Sequence, residues 1–202
     1  HQPRSGIAQD HGVVQVDPAA TRGRAVSARA VFLDRDGVIN DVTVRDGRVY
    51  PPASLDEWRL LPGVQEALEW LRADGFRLIV VTNQPDVAAG RQRRDVVETM
   101  HARMRKQLPL DDIRVCYHVD ADGCACRKPK PGMLLAAARD WNIDVAASVM
   151  IGDRWRDISA GKAAGCRTIL IERGYAEQQA DDPDAVVSSL PEASEVIRAW
   201  RA

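Results

Sequence analysis

With 28 Lys and Arg against 29 Asp and Glu over 202 residues, the chain is nearly neutral and long enough to bury the core of one domain. It carries no basic block, which disfavours a nucleic-acid partner, and no apolar run near the roughly 18 residues of a membrane span. It also lacks the apolar stretch of a secretory signal near its start, so a cytoplasmic location without a membrane partner is expected. The chain opens on His1 rather than Met, as a trimmed end would. Residues 1–29 are polar and aperiodic; they are expected to form a flexible extension, with at most a weak edge strand at 13–16, ahead of a single domain over 30–202. Residues 30–33 read as a buried strand closed by Asp34, Asp36 and Gly37. Two β-prone pieces at 42–44 and 48–50, split by Asp46-Gly47, read as a hairpin over that strand end. Val64, Ala67, Leu68 and Leu71 then recur at helical spacing until Asp74-Gly75. Residues 78–81 are a continuous apolar run, the mark of a strand covered on both faces, and it ends in Thr82-Asn83-Gln84. A charged helix over 92–108 follows, with Val96, Val97, Met100 and Met104 facing inward, then a strand at 113–117. Beyond a cysteine-rich loop come a helix at 132–141, a strand at 148–151 ending in Gly152-Asp153, and a helix at 158–164 closed by Gly165. Strands at 168–171 and 185–187 and a helix at 191–200 finish the chain. Strands alternating with helices in this way predict an α/β fold: a doubly wound, mainly parallel sheet with helices on both faces.

In such a sheet the carboxyl ends of the strands gather along one edge, where ligands bind. Here they carry Asp34 and Asp36, Thr82 and Asn83, Arg127-Lys128 just past the cysteine loop, and Asp153 with Asp157. Alone, Asp34-x-Asp36-Gly37 reads equally well as a solvated turn; the other ends supply what a reactive pair needs. Clustered carboxylates with waters hold magnesium, while a hydroxyl, an amide, a lysine and an arginine donate to phosphate oxygens. In a metal-assisted phosphate site Asp34 would attack phosphorus to give an aspartyl-phosphate. Asp36 would protonate the leaving oxygen and then take a proton from water, with Lys128 and Thr82 stabilising charge on the phosphoryl oxygens.

Cys116-x-His118-x5-Cys124-x-Cys126 offers three thiolates and an imidazole. That is a closed tetrahedral donor set, suited to structural zinc in a reducing compartment. The plainer reading buries Cys116 at the end of its strand and leaves the others idle. A Cys124–Cys126 disulfide is disfavoured by strain. Cys166, after Gly165, reads as a core residue. The interval between Asp34 and Thr82 holds a flap and one helix, so no cap domain is expected.

Taken in order, Asp34-x-Asp36-Gly37-Val38, the strand ending in Thr82-Asn83, Lys128, and Gly152-Asp153-x-x-x-Asp157 resemble the four motifs of the haloacid dehalogenase phosphatases, over residues 31–171. Asp34-Arg35-Asp36-Gly37-Val38-Ile39-Asn40, Val81-Thr82-Asn83-Gln84, residues 126–133 and the cysteine loop resemble one branch of that superfamily. The branch contains the D-glycero-D-manno-heptose 1,7-bisphosphate 7-phosphatases and the histidinol-phosphate phosphatases. The resemblance implies a capless Rossmann-like fold with Asp34 as nucleophile and Asp36 as acid and base. It places Thr82 and Lys128 on the phosphoryl group, magnesium on Asp34, the Asp36 carbonyl and Asp153, and structural zinc on Cys116, His118, Cys124 and Cys126. Substrate contacts would fall on Arg45 at the end of 42–45, on Asn83 within 82–85, and on Arg127 and Arg154; the three guanidinium groups suit a second phosphate.

The run at 83–90 is closer to the heptose branch, departing at Pro85, Asp86 and Ala89, while the short cysteine gap resembles the histidinol-phosphate type. The expected protein is a monomeric, magnesium-dependent phosphomonoesterase acting on a small phosphorylated sugar, with histidinol phosphate as the alternative. A polynucleotide 3'-phosphatase fits less well for want of a basic groove. A phospho-receiver domain fits less well because it has no acid or base at the place of Asp36.

Overall fold

Neighbouring residues of the central strands belong to different cores, and that alternation builds the molecule. The computed structural model describes residues 27–200. The edge strand expected at 13–16, and most of the extension around it, lie outside the described residues. In chain order the elements are β1 (Arg29–Leu33), β2 (Thr43–Arg45), β3 (Arg48–Tyr50), α1 (Val64–Ala73), β4 (Phe76–Asn83), α2 (Pro85–Ala88), α3 (Arg94–Gln107) and β5 (Asp112–Cys116). A short 3-10 turn (Asp120–Asp122) precedes α4 (Gly132–Asp140), β6 (Val149–Gly152), α5 (Trp155–Ala164), β7 (Arg167–Ile171), β8 (Ala185–Val187) and α6 (Leu190–Ala199).

Six strands form one sheet in the order β5-β4-β1-β6-β7-β8, and each neighbouring pair is parallel. Along β1, Val31 and Leu33 pack into one core and Ala30 and Phe32 into the other; β4 repeats the pattern with Leu78 and Val80 against Ile79 and Val81. Successive strand side chains point to opposite faces, so a strand that is apolar throughout is covered on both. Helices α1, α3 and α6 cover one face through Leu68, Leu71, Met100, Met104 and Ile197. Helices α4 and α5 cover the other through Met133, Leu134, Ala137 and Ala160. Cys166 is buried in this second core, as expected.

Between β1 and β4 lie only the β2–β3 hairpin and α1, so the fold has no cap domain. The hairpin turns on Asp46 (φ 50°) and Gly47 (φ 71°). Both are left-handed, as a tight two-residue turn between antiparallel strands requires.

Two features depart from expectation. The buried face of α3 is Val97, Met100, His101 and Met104, which keeps the helical i, i+3, i+4, i+7 spacing but takes in an imidazole. Val96 is only partly buried at its margin. The single turn α2 is also new; it opens on Pro85, whose fixed φ suits a first helical position and whose missing N–H costs nothing there. Among the described residues no helix is long and apolar enough to cross a membrane.

Candidate active site

β1 lies between β4 and β6, so three adjoining strand ends deliver Asp34, Thr82 with Asn83, and Asp153. The loop from β5 to α4 adds Arg127 and Lys128 from the side. A cleft of about 270 Å³ opens here, lined by Asp34, Asp36, Asn83, Gln84, Arg127, Lys128, Arg154, Arg156 and Asp157, with Val49 and Pro51 of the hairpin as one wall; Thr82 and Asp153 lie beneath its lining.

At its floor the Lys128 ammonium is 2 % exposed. It donates to Asp34 Oδ1 at 2.8 Å and to the Val81 carbonyl at 2.7 Å, and it pairs with Asp157 Oδ1 at 2.6 Å. Burial alone would lower the lysine's proton affinity, but the charges of Asp157 and Asp34 raise it above the ordinary value, so it stays cationic. Burial pushes Asp34 up to about 6, opposed by Lys128 and assisted by the neighbouring charges of Asp157 and Asp36. Asp157 also accepts the Arg154 backbone N–H at 3.1 Å, which fixes the start of α5.

Asp153 is buried; its carboxylate faces the Tyr175 hydroxyl, but no hydrogen bond of good geometry reaches either oxygen. Burial, then the charges of Asp34 and Asp157, raise its proton affinity well above normal. Asp34, Asp153 and Asp157 bring carboxylate oxygens within 4.8 Å of one another. Unsatisfied carboxylate oxygens in a buried site are costly, and a hard divalent cation would satisfy them. The residues present therefore fit a metal of the magnesium class. Gly37 (φ 84°) makes room: a Cβ there would stand 1.9 Å from Asp153 Oδ2.

Asp36 is held differently. Arg35 grips its carboxylate from Nε at 3.0 Å and from Nη2 at 2.9 and 2.8 Å, Asn40 Nδ2 donates at 2.9 Å, and Gln84 Nε2 at 2.8 Å. Burial works to raise Asp36, but the Arg35 charge and these hydrogen bonds more than offset it and hold the carboxyl below its usual range. Two carboxyls two residues apart are thus pushed in opposite directions.

The remaining expected site residues are placed as follows. Thr82 is buried with its hydroxyl accepting from Gln84 Nε2 at 2.9 Å. Asn83 lines the cleft, but its amide is engaged with the Lys128 backbone in both directions, each bond 3.1 Å. Arg127 Nε donates to Asp120 at 2.7 Å, and Arg154 is clamped by Glu177. Arg45 lies outside this cleft, on a neighbouring cavity shared with Arg48 and Arg91. Arg35, Asn40 and Arg156 have site positions that the sequence does not assign, and Gln84, expected within 82–85 as a substrate contact, is turned instead to Asp36 and Thr82. Arg156 alone carries a local signal, since it is the second residue of the helix that follows Gly152-Asp153.

The cysteine loop closes as a cluster. Cys126 Sγ lies 3.0 Å from Cys116 Sγ and 3.4 Å from Cys124 Sγ, and Cys116 and Cys124 are 3.7 Å apart. His118 Nδ1 lies 3.6 Å from Cys116 and 3.3 Å from Cys126. A tetrahedral ion with bonds of about 2.3 Å to sulfur would spread its ligands by just under 4 Å, close to this spacing. Burial and the neighbouring thiols push Cys116 up to about 12, while hydrogen bonds from the loop backbone and the other thiols draw Cys124 down, so a cation is needed for all three to be thiolates together. The four side chains fit a metal ion.

A buried lysine clamped by carboxylates at adjoining strand ends of a capless parallel sheet is suited to phosphate esters. The chain matches the family model of the haloacid dehalogenase-like hydrolases over residues 41–165 and belongs to that family; it is a phosphoric monoester hydrolase. It is 35% identical over 184 residues to the D-glycero-beta-D-manno-heptose-1,7-bisphosphate 7-phosphatase of Pasteurella multocida (strain Pm70), covering 84% of this chain and 97% of the relative. The enzyme of that name from Escherichia coli (strain K12) is 36% identical over 189 residues, covering 86% of this chain and 96% of the relative. In structure it is similar to D,D-heptose 1,7-bisphosphate phosphatase from B. bronchiseptica complexed with magnesium and phosphate. The TM-score is 0.70 and the identity 31%, covering 85% of this chain and 99% of that one.

Proposed function

We propose that this chain removes the 7-phosphate of D-glycero-beta-D-manno-heptose 1,7-bisphosphate through an aspartyl-phosphate intermediate. The observation that carries the chemistry is the opposed setting of the two carboxyls: Asp34 beside a buried ammonium, Asp36 in the grip of a guanidinium and two amides. The identity to heptose bisphosphatases over most of the chain supports the substrate.

Asp34 would attack phosphorus as the ester P–O bond breaks, with the leaving oxygen taking a proton from Asp36. As the site stands Asp36 favours its charged form; the negative charge of an entering phosphate raises its proton affinity again, so one carboxyl can serve as acid and then as base. Water would next attack the phosphoryl group, give its proton to Asp36 and release Asp34 with inorganic phosphate. Lys128 and Thr82 stabilise charge on the phosphoryl oxygens. Asp34, Asp153 and the Asp36 main chain would hold magnesium, which when bound offsets repulsion between the carboxylates and the phosphate. Zinc on Cys116, His118, Cys124 and Cys126 would do no chemistry. It would fix the loop that carries Arg127 and Lys128, and the reduced thiols suit a cytoplasmic enzyme. Arg127, Arg154 and Arg156, which line the cleft, suit the second phosphate.

The test is magnesium-dependent phosphate release from both anomers of heptose 1,7-bisphosphate, histidinol phosphate and a 3'-phosphorylated oligonucleotide. A strong preference for the beta heptose anomer is expected. Preference for histidinol phosphate or for the oligonucleotide would overturn the substrate.

A further inference from the structure

Behind Asp36 the chain of contacts continues away from the cleft. Arg35 is 1 % exposed although it stands between the two aspartates. Its Nε and Nη2 edge is committed to the Asp36 carboxylate, and on the other side Nη1 meets His101 Nε2 at 3.1 Å. His101 comes from the buried face of α3 and is 3 % exposed. A guanidinium can only donate, so Nε2 must present its lone pair, and the ring is the neutral tautomer with hydrogen on Nδ1. That Nδ1 has no hydrogen-bond partner, and the Glu98 carboxylate is 3.9 Å away. The ring is therefore held by packing and by its single bond to Arg35.

We infer that His101 is a positioning residue for the hydrolytic reaction: by accepting from Nη1 it locks the Arg35 fork in the plane that aligns Asp36 with the leaving oxygen. The inference rests on Asp36 being the acid and base proposed above. Without an acceptor at this point a buried Arg35 donor is unsatisfied and the guanidinium turns to seek another partner. Asp36 then loses its alignment while Asp34, Lys128 and the phosphate contacts are untouched. A displacement of this kind lowers turnover without weakening binding.

The experiment compares wild type with His101→Leu, His101→Asn and His101→Gln on heptose 1,7-bisphosphate and on p-nitrophenyl phosphate, with Asp36→Asn in parallel. The nitrophenolate departs without needing a proton, so in the first step a defect in Asp36 is felt mainly with the alkyl ester, whereas hydrolysis of phosphorylated Asp34 is common to both esters. The readout is therefore kcat/KM, which reports the steps up to departure of the leaving group. His101→Leu, and His101→Asn whose amide is too short to reach Arg35, are expected to lower kcat/KM on the alkyl ester roughly 10- to 100-fold, with inhibition by inorganic phosphate unchanged. The aryl ester should lose no more than about threefold in kcat/KM by the same reasoning. His101→Gln, whose Oε1 can replace Nε2, should keep most of the activity. Equal losses of kcat/KM on both esters, weaker inhibition by phosphate, or a glutamine variant as impaired as leucine would overturn the inference. If Asp36→Asn itself lowers kcat/KM equally on both esters, the acid role fails rather than the part given to His101. A readout without turnover is the histidine ring 15N spectrum at neutral pH. It should show Nδ1 protonated and Nε2 bare, and a protonated Nε2 would end the proposal.

Discussion

The carboxylate–lysine centre and the cysteine loop both bring ligand-bearing side chains within 4.8 Å of one another, by opposite means. The first collects Asp34 and Asp153 from strand ends, Asp157 from the first turn of α5 and Lys128 from the loop before α4, and all four are buried against the sheet. The sheet holds that geometry before any ligand arrives. The second takes all its groups from residues 116–126, mostly loop, with the main chain tied by Lys130 to the Gly123 and Cys124 carbonyls at 2.8 and 2.9 Å. Its order leans on whatever the thiols bind. A site made by the fold and a site made by a local loop therefore fail differently.

The largest expected effect is chemical and belongs to the first region. Asp34→Asn should cut turnover by more than roughly 10³-fold while leaving the circular dichroism spectrum and melting temperature close to wild type. Comparable activity in the variant would remove Asp34 as nucleophile. Lys128→Met probes the same region as structure: it leaves two buried carboxylates without their cation and should cost about 3–5 kcal/mol by urea unfolding. A loss under 1 kcal/mol would mean that the sheet does not depend on the pair.

The acid side of stability sharpens the contrast, because burial, with the Arg35 charge beside it, pulls His101 down to about 4. Below the unfolded value of about 6.5 the unfolded chain takes up a proton that the folded one refuses. Stability is thus fully present above pH 6.5 and falls as pH drops towards 4. Between pH 7 and 4.5 this one group should remove roughly 2 kcal/mol, and His101→Gln should flatten that part of the urea profile; parallel profiles would contradict it.

Chelation of the loop metal, or Cys126→Ser, should raise KM roughly tenfold because Arg127 and Lys128 lose their support, with little change in the unfolding midpoint of the sheet. Zinc-free protein with unchanged kinetics would detach the loop from function. The smallest effect is expected in the hairpin wall. Gly47→Ala forces a left-handed alanine whose Cβ would stand 2.9 Å from that of Ala176, a cost of about 1 kcal/mol in the same urea assay.

What the sequence made legible divides along the same line. Strand ends were readable because 30–33 and 78–81 are continuous apolar runs, and a parallel sheet collects their ends whatever lies between. The cysteine cluster was legible from the short spacing of its members together with the family resemblance, since they are close in the chain. The grip on Asp36 was not, because Gln84 lies 48 residues from Asp36 and His101 lies 66 from Arg35. No periodicity encodes a contact between polar groups on different elements. His101 was passed over for the reason that put Val96 on the inner face of α3: an apolar residue was preferred where a satisfied polar one fits. Arg45 was expected at the substrate by resemblance alone, and it lines the neighbouring cavity that shares Val49, Pro51 and Asp86 with the cleft.

The three contacts of Lys128 carry a last consequence. An ammonium has three N–H donors, and here they point at Asp34, Asp157 and the Val81 carbonyl. Lys128 has no idle hydrogen to offer a phosphoryl oxygen. Phosphate recognition by this lysine is therefore a substitution rather than an addition: one existing bond must open as the new one forms. If the bond to Asp34 gives way, docking of a phosphate and release of Asp34 Oδ1 become one event.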